Sequence, residues 1–67
     1  MPVARVADIN SSSPQSFDAA IRDGIDRAHM TLKNVKSAWI KEQSVSCENG
    51  KVTTFRVNMR VTFVLDD

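Results

Sequence analysis

The 67 residues predict an α+β domain with the order strand, helix, strand, strand. Three observations carry that assignment. Asn49-Gly50 stands between two long runs of β character, and Asn-Gly is the strongest short hairpin signal because a two-residue type I′ turn needs positive φ at both central positions. After it, Thr53, Phe55, Val57, Met59, Val61, Phe63 and Leu65 alternate with a mostly polar set, a period of two sustained for more than a dozen residues. Before it, Phe17, Ala20, Ile21, Gly24, Ile25, Ala28 and Leu32 recur at spacings of three and four, one apolar stripe of a helix.

Taken in order, Pro2 to Ile9 places Val3, Val6 and Ile9 in a short first strand. Asn10 to Ser13 is a polar break, and Ser13-Pro14 reads as an N-cap followed by proline at the first helical position. The helix then runs from about Pro14 to about Leu32, with Asp18 and Arg22, and Asp23 and Arg27, as i,i+4 pairs on its wet side. Gly24 falls on the apolar stripe at a cost of about 1 kcal/mol of helix propensity, which close approach of helix to sheet would offset. Thr31 to Lys36 leads into a hairpin from Ala38 to Leu65.

A two-residue loop sets the expected register. Ile40 faces Met59 and Ala38 faces Val61 on the apolar side, while Trp39 faces Arg60, Lys41 faces Asn58, Gln43 faces Arg56 and Val45 faces Thr54 on the other. Parity then puts Glu42 on the helix side opposite Val57. Either a bulge near Glu42 and Gln43 turns it outward, or Lys36 or a neighbouring subunit pairs it. Val45, Cys47 and Val52 form a patch near the tip on the face away from the helix.

Size restricts the rest. A chain of 67 residues is one domain, from 1 to 67, near the lower limit for a self-sufficient core. Small scaffolds add disulfides, a metal or oligomerisation. Cys47 is alone, and one histidine with one cysteine makes no structural zinc site, so oligomerisation is what remains. The lengths agree: a helix of about 19 residues spans about 28 Å, whereas a strand from Val52 to Leu65 spans about 45 Å. The hairpin overhangs its helix, so it must curl around it, pack on another subunit, or both.

A net charge of +1 with interspersed signs offers no footprint for nucleic acid and no polybasic membrane patch. Met1 to Asn10 lacks the apolar segment of a signal peptide, and no run is long enough to cross a membrane. The expectation is a cytoplasmic protein with a reduced thiol. No activated nucleophile, acid-base pair or metal cluster can be assembled, so an enzyme is not expected.

With the elements placed, the chain resembles the dodecin family across almost its whole length. The resemblance is carried by Ser11-Ser12-Ser13-Pro14, by Ala19-Ala20 with Ile25-Asp26-Arg27-Ala28, by Thr31-Leu32-Lys33-Asn34-Val35, by Glu48-Asn49-Gly50-Lys51-Val52 and by Val61-Thr62-Phe63-Val64-Leu65-Asp66. It implies a three-stranded antiparallel sheet curled around one helix, assembled as a hollow homododecamer of tetrahedral symmetry. It also implies a non-enzymatic role, storing or sequestering flavin (riboflavin, FMN or FAD) at subunit interfaces between tryptophans. Aligned on Leu32 and Gly50, the family's flavin-stacking tryptophan falls on Ser37, and its flavin-bonding glutamine falls on Arg56. Trp39 lies two residues on, the same strand face about 7 Å along.

The candidate ligand residues are therefore Trp39, Ser37, Arg56, Arg60 and Gln43. Trp39 is either a stacking surface for a planar ring, with Arg60 or Arg56 serving a phosphate or a ring carbonyl, or a tryptophan sealed between subunits. The competing function is an assembly without flavin, structural or ion-holding. Ser11 to Ser13 either offer hydroxyls to an anion or form an ordinary polar loop. His29 is read as solvated or interfacial, Cys47 as a small interface hydrophobe, and Asp66-Asp67 as a solvated tail with a weak cation-binding potential.

Overall fold

A computed structural model describes residues 3–65. The elements are β1 (Val3–Ser13), α1 (Phe17–Leu32), β2 (Val35–Glu48) and β3 (Lys51–Leu65). They form one antiparallel sheet in the order β1-β3-β2, so the strand with the cleanest alternation is the central one. The helix covers one face of the sheet, and the whole measures 52 × 19 × 13 Å. Asn49 and Gly50 close the hairpin at φ 53° and 77°, the positive pair that a type I′ turn demands.

The helix stripe works as the spacing predicts. Ala20, Gly24 and Ala28 are buried, three small residues that let α1 lie close to the sheet. Beneath them Val57, Met59 and Val61 of β3 are fully buried, with Ile9, Ile21, Ile25 and Ile40 packed around. Phe17 meets Phe55 edge to face, ring centroids 5.1 Å apart at 77°. Asp18 and Arg22 close the first of the two expected ion pairs at 2.9 Å.

The start of the helix differs from expectation. Ser11 to Ser13 are not a loop: they continue β1 opposite Val57, Arg56 and Phe55. Ser16, not Ser13, is the N-cap, with its hydroxyl accepting from the Ala19 amide at 2.9 Å. Ser13 instead accepts from the Gln15 amide at 3.0 Å, turning the chain so that Pro14 precedes the helix rather than opening it. The longer β1 follows from its partner: β3 offers unpaired backbone along its whole length, and pairing satisfies it. The expected strand start at Pro2 and the Asp66-Asp67 tail lie outside the described residues.

The hairpin register holds only in part. Glu48 pairs with Lys51, and Ile40, Trp39 and Ala38 pair with Met59, Arg60 and Val61 as expected. Between these, irregularities at Ser46/Cys47 and Ile40/Glu42 shift β2 by one residue. Glu42 therefore faces Asn58, Gln43 faces Val57, Ser44 faces Arg56, Val45 faces Phe55 and Ser46 faces Thr54. A one-residue slip exchanges the two faces of a strand. Glu42 is thereby turned to the open side, where it accepts from the Asn58 amide at 3.0 Å, and the bulge resolves the buried charge. Val45 moves to the helix side, opposite Phe55, so the expected tip patch of the open face loses it, and Cys47 pairs with Val52.

Candidate functional site

The open face of the sheet is built from alternate residues of three strands, so its composition is read rung by rung across the register. One rung is Asp8, Arg60 and Trp39; the next toward the hairpin tip is Asn10, Asn58 and Glu42; the one after is Ser12, Arg56 and Ser44. On the other side of the first rung lie Val6, Thr62 and Ser37. Trp39 is 71% exposed, the large aromatic of a face that no element of the subunit covers.

Arg60 is committed. Its Nε donates to Asp8 Oδ1 at 2.9 Å and its Nη2 to Asp8 Oδ2 at 3.4 Å, a two-point pair across β1 and β3. Lys41 Nζ also approaches Asp8 Oδ2, at 3.8 Å. The hydrogen bond from Arg60 holds the Asp8 carboxyl below the usual carboxylate range, and Asp8 in return raises Arg60 above its ordinary value. This clamp sets a fixed guanidinium beside the indole on the neighbouring strand.

Arg56 is uncommitted by charge. Its Nε donates to Ser46 Oγ at 3.2 Å, and among the described residues it joins no ion pair. It borders a groove of about 470 Å³ lined also by Asn10, Ser12, Glu42, Ser44 and Asn58. Of the five sequence candidates, Trp39, Ser37 and Arg60 cluster at one end of the open face. Arg56 sits two rungs away, about 13 Å along β3. Gln43 does not oppose Arg56: it pairs with Val57, so its side chain starts from the other face, although it touches the rim of the groove.

Asp8 is the residue that sequence reasoning missed. Its signal lay in the alternation Val6, Asp8, Asn10, but placing it beside Arg60 requires the β1 register, which no turn between adjacent strands specifies. Among the described residues, no three of His, Cys, Asp and Glu converge as a metal-ligand group, and no helix is long and apolar enough to cross a membrane.

Comparison with known proteins agrees with this architecture. The family model described as Dodecin matches residues 3–66. A dodecin from Streptomyces davaonensis superimposes with a TM-score of 0.94 at 38% identity, covering 98% of this chain and 97% of that one. The calcium dodecin of Mycobacterium tuberculosis is 29% identical over 63 residues, 94% of this chain and 89% of that protein. Its crystal structure gives a TM-score of 0.82, covering 96% and 91% of the two chains. A point mutant of T. thermophilus dodecin, at 24% identity, shares the fold over the full length of both chains with a TM-score of 0.93. With a family match over nearly every residue and a 38% identical relative of the same fold and length, the chain belongs to the dodecin family.

Proposed function

We propose that this chain is the subunit of a homododecameric binding and storage protein that sequesters a flavin (riboflavin, FMN or FAD) or a similar aromatic molecule at subunit interfaces. One observation carries the reading: Trp39, 71% exposed, stands on a sheet face that its own helix leaves bare, beside a guanidinium fixed by Asp8. An aromatic surface with a fixed cation at its edge suits a planar ring with carbonyl acceptors. Ser37, on the same face two residues away, is small enough to leave that ring room. The need for neighbours has its own support. Among the described residues only Val57, Met59 and Val61 are large and fully buried, contributing about 1.5–3 kcal/mol each, a thin core for a 67-residue chain.

The test is a riboflavin fluorescence titration with light-scattering mass measured on the same sample. The expected result is a particle of about twelve subunits that quenches riboflavin, with Trp39→Ala keeping that mass and losing about fivefold or more in affinity, since stacking is worth about 1–3 kcal/mol. A folded 7.5 kDa monomer, or an assembly indifferent to flavin, overturns it.

A second reading is favoured by one comparison. The 29% identical relative is named calcium dodecin, which supports an ion-holding assembly without flavin. Because no three ligand side chains converge among the described residues of one subunit, such a site would draw its carboxylates from several subunits. Calcium titration by calorimetry on flavin-free protein discriminates the two.

A further inference from the structure

The residues that close the hairpin also bring together a nucleophile and an electrophile. Asn49 and Gly50 are both exposed at the tip, and nothing lies within 4 Å of the place where a Cβ on Gly50 would stand. The Gly50 nitrogen is therefore open to approach from the side chain that precedes it. In a two-residue loop the last ladder bonds belong to the flanking pair, here Glu48 and Lys51. Among the described residues the Gly50 N–H makes none of the backbone hydrogen bonds found outside the strands, so no bond of the fold holds its proton. The other asparagines are placed differently. Asn10 and Asn58 face each other within paired strands, and the Asn58 amide is tied to Glu42 at 3.0 Å. Asn34 is followed by Val35, whose β-branch crowds the next amide.

We propose that Asn49 is a self-modification site, which the folded protein converts to aspartate and isoaspartate with the amide of its own turn as the nucleophile. The Gly50 nitrogen gives its proton to hydroxide and attacks Asn49 Cγ. The bond from Cγ to the carboxamide nitrogen breaks, ammonia leaves with a proton from water, and a succinimide remains. Water then opens that ring. Cleavage at Cγ gives aspartate in the ordinary chain, and cleavage at the Asn49 carbonyl carbon gives isoaspartate, whose backbone runs through Cβ and Cγ. Water is consumed, ammonia is released and no oxidant is needed. The two products differ in what they do to the tip. Asp-Gly suits a type I′ turn as well as Asn-Gly, so the aspartate form keeps the hairpin, sets a carboxylate next to Glu48 and takes the subunit from a net charge of +1 to neutral. The isoaspartate form lengthens the loop backbone by a methylene, and loop length fixes register. Pairing of Glu48 with Lys51 is then lost, and the disturbance ends at Ser46/Cys47, where the ladder is already irregular.

The test ages the native protein at neutral and at alkaline pH, with a reductant present to keep Cys47 a thiol, and maps its peptides by mass. The tip peptide is expected to gain the mass difference between NH2 and OH, faster at the higher pH, and to become a substrate for an isoaspartyl methyltransferase. Peptides holding Asn10, Asn34 and Asn58 should stay unconverted over the same period, so the unsubstituted protein carries its own controls. On isoelectric focusing the aged protein should gain a more acidic species. Asn49→Gly should not form it, and its Gly-Gly turn is also of the type I′ class. Conversion of Asn49 in the denatured chain but not in the native one would show that the folded turn protects the site, and overturns the proposal. Conversion of the tip no faster than at Asn34 overturns it as well, because the open Gly50 amide would then confer no advantage.

Discussion

Replacing Gly24 by alanine sets two effects of known sign against each other. Alanine in a helix interior is favoured over glycine by about 1 kcal/mol, so an unobstructed site would gain stability. Gly24 is obstructed: an added Cβ would stand 2.6 Å from Met59 Cε and 2.9 Å from Ser11 Cβ. Met59 Cε ends a flexible side chain and can swing aside, though Met59 is fully buried and must displace something in turn. Ser11 Cβ is tied to the β1 backbone, so relief there requires the helix to withdraw from the strand. Overpacking of this kind costs about 1–3 kcal/mol, and the net expectation is a loss of about 1 kcal/mol. In a domain of this size that lowers Tm by about 4–8 °C. The assay is thermal unfolding at one fixed protein concentration, because assembly couples Tm to concentration. Asp26→Ala, on the exposed side of the same helix, controls for propensity and should not lose stability. Adding Ser11→Gly to Gly24→Ala should return part of the loss, a coupling that separate effects would not give. A Gly24→Ala protein that melts at or above the parent refutes the close approach.

Two further substitutions test other links. Lys33, the C-cap residue, sits at φ 61° and ψ 161° while its amide donates to His29 O at 3.0 Å. That region suits glycine alone and costs other residues about 1–3 kcal/mol, so Lys33→Gly should raise Tm by a few degrees, and a lower Tm would refute the strain. Asp8 has its carboxyl held low by Arg60, so its contribution is present above the unfolded carboxylate value near pH 4 and disappears as pH falls through the folded one. Asp8→Asn should therefore melt below the parent at pH 7, with the difference closing below about pH 4; a constant gap across that range would show that the clamp is not ionic.

How much of this was legible in the sequence depends on what each feature rests on. The hairpin turn, the helix stripe and the central strand rest on local chemistry: Asn49-Gly50, the three-and-four spacing from Phe17 to Leu32, and the alternation from Thr53 to Leu65. All three stand in the structure. The helix start failed because Ser13-Pro14 and Ser16 are both competent starting signals, and the choice between them is made by β3, which pairs with Ser13 and draws it into the sheet. The site was legible as a set of residue types but not as a grouping. Trp39 with Arg60 came out correctly because it lies past the irregularities at Ser46/Cys47 and Ile40/Glu42 and before the one at Val35/Ser37, where the turn register is restored, whereas Gln43 lies between the first two and was placed on the wrong face. The misplaced charge of Glu42 was the available clue to a bulge, and it located the second irregularity without revealing the first at Ser46.

Bulges that cancel have a functional consequence that a straight hairpin could not provide. Between Cys47 and Ile40 the strand runs one residue out of step, then returns, so the apolar register near the helix is preserved while the middle of β2 presents its other face. The helix side accepts Gln43 and Val45 where α1 does not reach to bury them fully, both remaining exposed. The open side gains Glu42, Ser44 and Ser46, which supply a partner for Asn58 and hydroxyls around Arg56. The overhang beyond the helix is what makes this exchange tolerable: in a sheet fully covered by its own helix, a buried Gln43 would lack water and partners. The same surplus of strand that leaves the subunit short of core therefore frees a stretch of sheet for polar recognition. Under the proposed function, ligand and neighbouring subunits would share this one surface, so a ligand that bridges subunits should raise the Tm of the assembly with the logarithm of its concentration above Kd.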